Sequence, residues 1–246
     1  MRDRSLVVAG FLWFDPTYRH NDKYRYTIAD VRLLKRMVDR HLTIPHEFVC
    51  ITDDPDQFAQ DDIRAVEIDR RCWVPGRMFQ QLMPFHPKAR EWFGDWLMVM
   101  DLDCVVTGSL DSVAEKAGDV VLWRNPSRRP WGNPEGRGKL RPLYNGSLMM
   151  VRNGARTDIW DMFSPEVSPL QFRDSQHYIS AVAGADCAYW DDDDGVYRLA
   201  RDDTPGSGVT GELPANARVV FFAGDQHKPW IKEIQAKYPW IRRFRR

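Results

Sequence analysis

Two aspartates one residue apart are the clearest chemical signal in this sequence. Asp101 and Asp103 follow directly on an apolar run, Met-Val-Met at residues 98–100. In an extended segment, side chains two residues apart point the same way, so both carboxylates could bind one hard cation at the end of a buried strand. The pattern predicts a metal site suited to a diphosphate, although a solvated turn is an alternative in a chain with 35 acidic residues.

The segments around this pair predict an α/β protein. Apolar runs predict strands at residues 5–9, 48–51, 63–68, 120–123, 147–151 and 219–222. A helix is predicted behind the capping pair Thr27 and Asp30, because Ile28, Val31, Leu34, Val38 and Leu42 fall at helical spacing. A second helix is predicted at residues 174–183. We expect a mostly parallel central sheet flanked by helices, with ligands bound at the carboxyl ends of its strands.

The composition predicts an ordinary globular chain. Of the 246 residues, 43% are hydrophobic and 28% charged, which excludes global disorder and wholesale membrane insertion. We expect one α/β domain, or a domain with a smaller subdomain, followed by a basic tail at residues 232–246. The start of the chain imitates a signal peptide but reaches Asp15-Pro16 without a small-residue cleavage site, so residues 5–9 predict a core strand instead.

Four cysteines are scattered without the spacing of a metal site. They predict buried free thiols in a cytoplasmic protein, and no run of residues is long enough to cross a membrane. The cysteines are Cys50, Cys72, Cys104 and Cys187.

Three further groups of residues follow the aspartate pair in a recognisable order. They are Tyr144-Asn145-Gly146-Ser147, then Asp174-Ser175-Gln176, then Gly224 with Lys228-Pro229-Trp230. Over about residues 5–231 this order resembles the GT-A fold glycosyltransferases that use nucleotide sugars, especially the retaining family of glycogenin and bacterial lipopolysaccharide galactosyltransferases. The resemblance implies a Rossmann-type sheet, a nucleotide-diphospho-sugar donor, Mn2+ or Mg2+ as cofactor, and transfer with retention. It also implies a nucleotide-binding half at about residues 1–107, an acceptor and sugar-binding half at about 108–231, and a smaller acceptor-side subdomain.

The resemblance also implies a role for each group. Asp103 would bind the metal directly, Asp101 would bind the metal and the nucleotide ribose, and Lys228, near Gly224, would contact the diphosphate. Asn145 would bind sugar hydroxyls beside Gly146, although this dipeptide alone fits a plain turn.

Two more positions complete the donor site that the resemblance implies. Arg77 would reach the donor phosphate, with an ordinary arginine at a helix start as the alternative. Asp53, in the turn after residue 52, would lie near the base and ribose.

The chain departs from the family pattern at two places. The family has an Asp next to the Gln where this chain has Ser175, which leaves open whether Asp174 or Gln176 binds the sugar, and Asp174 could simply cap a helix. Phe221 stands where the family has a metal-binding His. His227 is the nearest substitute as a third metal ligand.

A basic loop at residues 124–141 predicts an anionic acceptor. Arginine with interleaved aromatic rings suits phosphate-bearing glycans of the lipopolysaccharide type and also nucleic acid, here DNA with a hydroxylated base. A solvated loop is the alternative. The side chains concerned are Arg124, Arg128, Arg129, Trp131, Arg137, Lys139 and Arg141.

Two other functions compete with sugar transfer. Residues 98–107 also resemble the first motif of haloacid-dehalogenase-type phosphatases, with Asp101 as nucleophile and Asp103 as acid or base. The phosphatase hypothesis also needs a Lys and then an Asp pair further along the sequence, and only the acidic residues 191–194 match the Asp pair. A non-catalytic nucleotide-sugar-binding protein is the second alternative, favoured by Phe221 in the His position.

Overall fold

The amino-terminal third forms a βαβ unit whose elements follow from its apolar spacing. The structure is a computed structural model that describes residues 5–17, 25–125, 142–200, 208–222 and 224–246. The first strand, Leu6–Leu12, is buried along its whole length. The helix Ile28–His41 starts at Thr27, whose amide and hydroxyl both donate to the Asp30 carboxylate at 3.0 Å, so the predicted capping box is confirmed.

Ten strands are described, and the six strand regions predicted from apolar runs are all confirmed with shifted ends. The strands are β1 Leu6–Leu12, β2 His46–Thr52, β3 Arg64–Glu67, β4 Trp96–Met100, β5 Cys104–Val106, β6 Val120–Arg124, β7 Tyr144–Arg152, β8 Ala188–Trp190, β9 Val196–Arg198 and β10 Val219–Phe221.

Eight α-helices are described, most of them short. They are α1 Ile28–His41, α2 Ala89–Phe93, α3 Asp111–Ala114, α4 Asp158–Asp161, α5 Ser168–Gln171, α6 Ser175–Ala183, α7 Lys232–Lys237 and α8 Trp240–Phe244. A 3₁₀ helix, Gln80–Phe85, is buried throughout and precedes α2.

The strands form two sheets, and the predicted fold class is confirmed. The large sheet has seven strands in the order β3-β2-β1-β4-β7-β6-β8 and is parallel except for β7, which runs antiparallel to both neighbours. The small sheet has the order β5-β10-β9. Apolar side chains from both faces of the large sheet are buried, as expected where helices cover a mostly parallel sheet.

The short connection between β4 and β5 joins the two sheets. The amide of Asp101 donates to the carbonyl of Ser147 in β7 at 2.9 Å, and the carbonyl of Asp103 accepts from the amide of Phe222 at 2.9 Å. Between them the Leu102 side chain is buried close to Gly10, where an added Cβ would lie 2.9 Å from it. The aspartate pair is therefore fixed by backbone bonds to both sheets.

The carboxyl-terminal segment packs on the small sheet. Tyr238 and Ile241 are buried in an apolar cluster with Val105, Val220 and Phe222, and the indole of Trp240 donates to the Gly211 carbonyl. Trp240 and Phe244 are partly buried against the same cluster.

The four free cysteines differ in burial. Three of the four free cysteines are buried, whereas Cys187 is only partly buried, so the prediction of four buried thiols was wrong there. No helix within the described ranges is long and apolar enough to span a bilayer.

Candidate active site

The two aspartates lie in a turn, and an extended strand does not continue through them. β4 ends at Met100, and Leu102 and Asp103 form the turn that leads into β5. Asp103 is buried and Asp101 partly buried. Their carboxylates still interact, because the charge of Asp103 is one of the causes that raise the pKa of Asp101.

A buried lysine pairs with the second aspartate. The Lys228 ammonium lies 2.5 Å from Asp103 Oδ2 and also donates to the Tyr26 hydroxyl at 2.8 Å. Only 7% of Lys228 and 6% of Asp103 are exposed, so this is an ion pair inside the protein. It brings the Lys228-Pro229-Trp230 group next to Asp103.

The site holds more negative than positive charge. Asp101 and Asp103 face one ammonium, that of Lys228. Removal from water and the charge of Asp103 raise the pKa of Asp101 to about 7, against opposing effects of Ser147, Lys228 and Gln81. An additional cation would therefore be attracted to this position.

Gln81, in the 3₁₀ helix, connects three of the predicted groups. Its amide nitrogen lies 3.4 Å from Asp101 Oδ1 and 3.5 Å from the Gly146 carbonyl, and its Oε1 accepts from the buried Ser175 hydroxyl at 2.7 Å. The sequence analysis missed Gln81 and named Ser175 only as a departure from the family pattern. The detectable signal was a pair of glutamines, at 80 and 81, inside an apolar segment, because buried polar side chains are uncommon and need partners.

The Asn145-Gly146 dipeptide opens β7 beside this network. Asn145 Oδ1 accepts from the Ser147 amide at 2.8 Å, which leaves its NH2 group for another acceptor. Gly146 packs closely on Gln81: a Cβ there would lie 2.5 Å from Gln81 Oε1, so the buried glutamine amide would have to move.

Asp174 caps the start of α6, which is the structural role that the sequence left open for it. Its Oδ1 accepts from the His177 amide at 3.1 Å and lies 2.7 Å from His177 Nδ1. Burial tends to raise the pKa of Asp174, but hydrogen bonding and the charge of His177 outweigh it and hold that pKa below its usual value. Gln176 follows in the first turn of α6, partly buried.

Arg77 and Asp53 lie on neighbouring connections. The Arg77 guanidinium donates to the Arg173 carbonyl at 2.8 Å, directly before Asp174. Asp53 is exposed after β2, and its Oδ2 accepts from the Phe14 amide beyond β1 at 3.1 Å. Asp53 therefore holds together the ends of two parallel strands, at the edge where the fold binds ligands.

The predicted third metal ligand is not brought to the aspartates. No group of three or more His, Cys, Asp or Glu side chains is arranged to hold a metal ion in the part of the chain that the structure describes. His227 lies in a short turn after Gly224, whose φ of 85° suits glycine. Phe221 is a core residue, stacked on Trp123 with ring centroids 4.9 Å apart.

The residues nevertheless fit a divalent cation of the Mg2+ type. Such ions are commonly held by one or two carboxylates, with waters and substrate phosphates as the other ligands. Asp101 and Asp103 supply those carboxylates and the uncompensated charge.

Tyr26 is a second residue that the sequence analysis missed. Burial and the charges of Asp103 and Asp101 raise the pKa of Tyr26 well above its ordinary value, so its hydroxyl stays protonated beside Lys228. Its ring meets Trp230 edge to face at 5.6 Å. Only its position before the Thr27 cap of α1 could have pointed to it.

Most of the predicted acceptor loop lies outside the described residues. Arg128, Arg129, Trp131, Arg137, Lys139 and Arg141 belong to that part of the chain. Arg124 is described, at the end of β6, and its guanidinium lies 4.7 Å from the centre of the Tyr189 ring.

Solved glycosyltransferase structures are similar to this chain over nearly its whole length. The galactosyltransferase LgtC, in complex with donor and acceptor sugar analogues, has 12% identity and a TM-score of 0.61, covering 97% of this chain and 93% of LgtC. An active-site mutant of LgtC gives a TM-score of 0.62 at the same identity and coverage. The chain has the fold of LgtC.

A second glycosyltransferase has the same architecture in a longer protein. GlyE of Streptococcus pneumoniae TIGR4 has 14% identity and a TM-score of 0.56, covering 93% of this chain and 57% of GlyE. No protein-family model matches the sequence, and no curated protein sequence matches it. The likeness to these glycosyltransferases is therefore a likeness of fold.

Proposed function

We propose that this protein is a glycosyltransferase that moves a sugar from a nucleotide-diphospho-sugar to an acceptor hydroxyl. The observation that carries the proposal is the convergence, on one LgtC-like fold, of four separate sequence groups. Asp101, Gln81, Gly146 and Ser175 form one hydrogen-bonded group, and the Asp103–Lys228 ion pair lies beside it, close enough for its charges to act on Asp101. A site with two carboxylates and one ammonium suits a donor bound as a metal–diphosphate complex.

In this proposal Asp101 and Asp103 hold Mg2+ or Mn2+. The cation, when bound, supplies Lewis-acid neutralisation of the charge that builds on the departing diphosphate. Gln81 keeps Asp101 oriented by its amide, and Lys228 offers a second positive charge to the diphosphate.

The sugar would lie between the opening of β7 and the start of α6. There the Asn145 amide and Gln176 can bind hydroxyl groups, while Asp174 holds the helix start through His177. Arg77 and Asp53 would face the nucleotide from neighbouring connections.

Retention of anomeric configuration and an anionic acceptor complete the proposal. Retention is what the resemblance of the sequence groups to the retaining family implies, and it is tested by the NMR coupling constant of the product anomer. The anionic acceptor is supported by the basic composition of residues 124–141.

The phosphatase alternative loses support in the structure. Asp194, from the only acidic run that could complete its motif, pairs with Lys116 at 2.6 Å, and Asp191 caps the same turn. These carboxylates serve local structure.

The test is a thermal-shift series of the purified protein with UDP, GDP, CDP and their common sugars, each with and without Mn2+. A ligand that binds only the native state must raise the melting temperature, so a metal-dependent rise with one nucleotide supports the donor site and names its base. The absence of a shift with every nucleotide would overturn the proposal.

A further inference from the structure

The Lys228 ammonium occupies a defined position inside the candidate site. It pairs with Asp103 at 2.5 Å and donates to the Tyr26 hydroxyl at 2.8 Å, and it lies 5.2 Å from the centre of the Tyr26 ring. Both members of the ion pair are more than nine-tenths buried. Tyr26 is itself fixed by Trp230, so the resting place of the ammonium is built from three side chains.

This position conflicts with the binding of a divalent cation. Among the residues that the structure describes, Asp101 and Asp103 are the two carboxylates that the site offers such an ion, and Asp103 Oδ2 already accepts from Lys228. A cation bound there would lose that ligand atom or would stand next to an ammonium of like charge in a poorly hydrated place. Lysine, however, carries its charge on a flexible four-carbon stem and can move.

We propose that Lys228 and a divalent cation compete for Asp103, and that a nucleoside diphosphate relieves the competition by drawing the ammonium to its phosphates. This inference rests on the proposed function, since it gives the diphosphate a place beside Lys228. The cation then takes the carboxylate that the ammonium leaves. Metal and nucleotide must therefore strengthen each other's binding by the same factor, as linkage requires.

The competition predicts an unusual effect of removing a positive charge. Lys228→Met keeps the length of the side chain but deletes the ammonium. Mn2+ binding without nucleotide should tighten by about tenfold or more, the factor for one lost charged hydrogen bond. The gain in Mn2+ affinity that UDP or GDP produces should be smaller in this variant than in the wild-type protein, because phosphate ligation of the cation remains while the release of Asp103 by the ammonium is lost. A purely structural ion pair predicts the opposite, an unchanged or weaker Mn2+ affinity.

The measurement is a titration of the protein with Mn2+, in which the EPR signal of unbound Mn2+ gives the dissociation constant with and without UDP or GDP. Lys232→Met, which removes an exposed lysine from α7, is the matched control and should behave as wild type. Tyr26→Phe is the second variant, in case Lys228→Met folds poorly. It deletes only the hydroxyl that holds the ammonium and should tighten Mn2+ binding less than Lys228→Met but measurably.

The outcomes separate this inference from the proposed function. If wild type binds Mn2+ and nucleotide together but neither variant binds Mn2+ more tightly, the competition is wrong while the donor site stands. If no nucleotide binds with any metal, the proposed function fails, and the Mn2+ affinities of the variants still decide the competition. Absence of Mn2+ binding to wild type and both variants would overturn it.

Discussion

Replacing Asp101 by Asn should make the protein more stable at alkaline pH while abolishing its proposed activity. The change leaves Asp103 paired with Lys228 and removes the second carboxylate of the site, which makes no ion pair among the described residues. Asn can still accept and donate hydrogen bonds toward Gln81 and Ser147, so the local geometry is retained.

The magnitude follows from the pKa of Asp101, which is raised from 3.8 to about 7. At about 1.4 kcal/mol for each unit of pKa, ionised Asp101 costs the native state at most ~4 kcal/mol above pH 7. Asp101 is only partly buried, so solvent screening reduces this cost and we expect roughly half of it, ~2 kcal/mol. Between pH 4 and 7 the native state holds a proton that the unfolded chain has released, so wild-type stability must fall as pH rises through this window.

Urea denaturation of both proteins at pH 4.5 and pH 8 measures the effect. The variant should exceed wild type by ~2 kcal/mol at pH 8, and the difference should shrink toward zero at pH 4.5. Asp62→Asn, which neutralises a surface carboxylate, is the control and should show no such pH-dependent gain. A variant that is no more stable than wild type at pH 8, or a difference that does not change with pH, would refute the charge argument.

Three other substitutions test separate parts of the structure. Gly146→Ala should lose activity and ~1–3 kcal/mol of unfolding free energy, because the new methyl carbon would lie 2.5 Å from Gln81 Oε1, whereas Gly211→Ala, in open space, should be neutral in both assays. Arg245→Ala should lower the free energy of unfolding, measured by urea denaturation, by ~1–3 kcal/mol, because the guanidinium is nearly buried and pairs with Asp30 at 3.0 Å. Arg242→Ala, at an exposed position, should have no such effect, and equal effects of the two changes would contradict this packing role. Charge reversal of Arg128 and Arg129, which lie outside the described residues, should raise the acceptor KM without changing donor hydrolysis, and equal effects on both would exclude an acceptor-binding loop.

The sheet and the first helix could be predicted because their signals are local. Apolar runs of four to six residues indicated the strands, and Thr27 with Asp30 marked the start of α1. The small strands β5, β8 and β9 were not predicted, because three residues leave no detectable period and their pairing depends on distant parts of the chain.

The residues of the candidate site were predicted better than the contacts that they make with each other. Asp101, Asp103 and Lys228 were assigned to one site from their order, but the Lys228–Asp103 ion pair joins residues 125 positions apart and has no local signature. Sequence alone also suggests that Asp103 is a charge the fold does not need. The structure changes that expectation, since Asp103→Ala would leave a buried ammonium with one partner fewer, so Asp101→Asn is the cleaner perturbation.

Arg245, near the carboxyl end of the sequence, supports the candidate site although it belongs to none of the sequence groups that predicted it. The sequence predicts a basic tail beyond residue 231, yet Arg245 pairs with Asp30, one member of the capping box that follows Tyr26, and its guanidinium lies 5.3 Å from the centre of the Trp230 ring. Trp230 in turn supports Tyr26, which accepts from Lys228. The last residues of the chain therefore help to set where the ammonium rests. Loss of the tail should accordingly disturb metal and nucleotide binding as well as stability, an effect that a solvated tail could not produce.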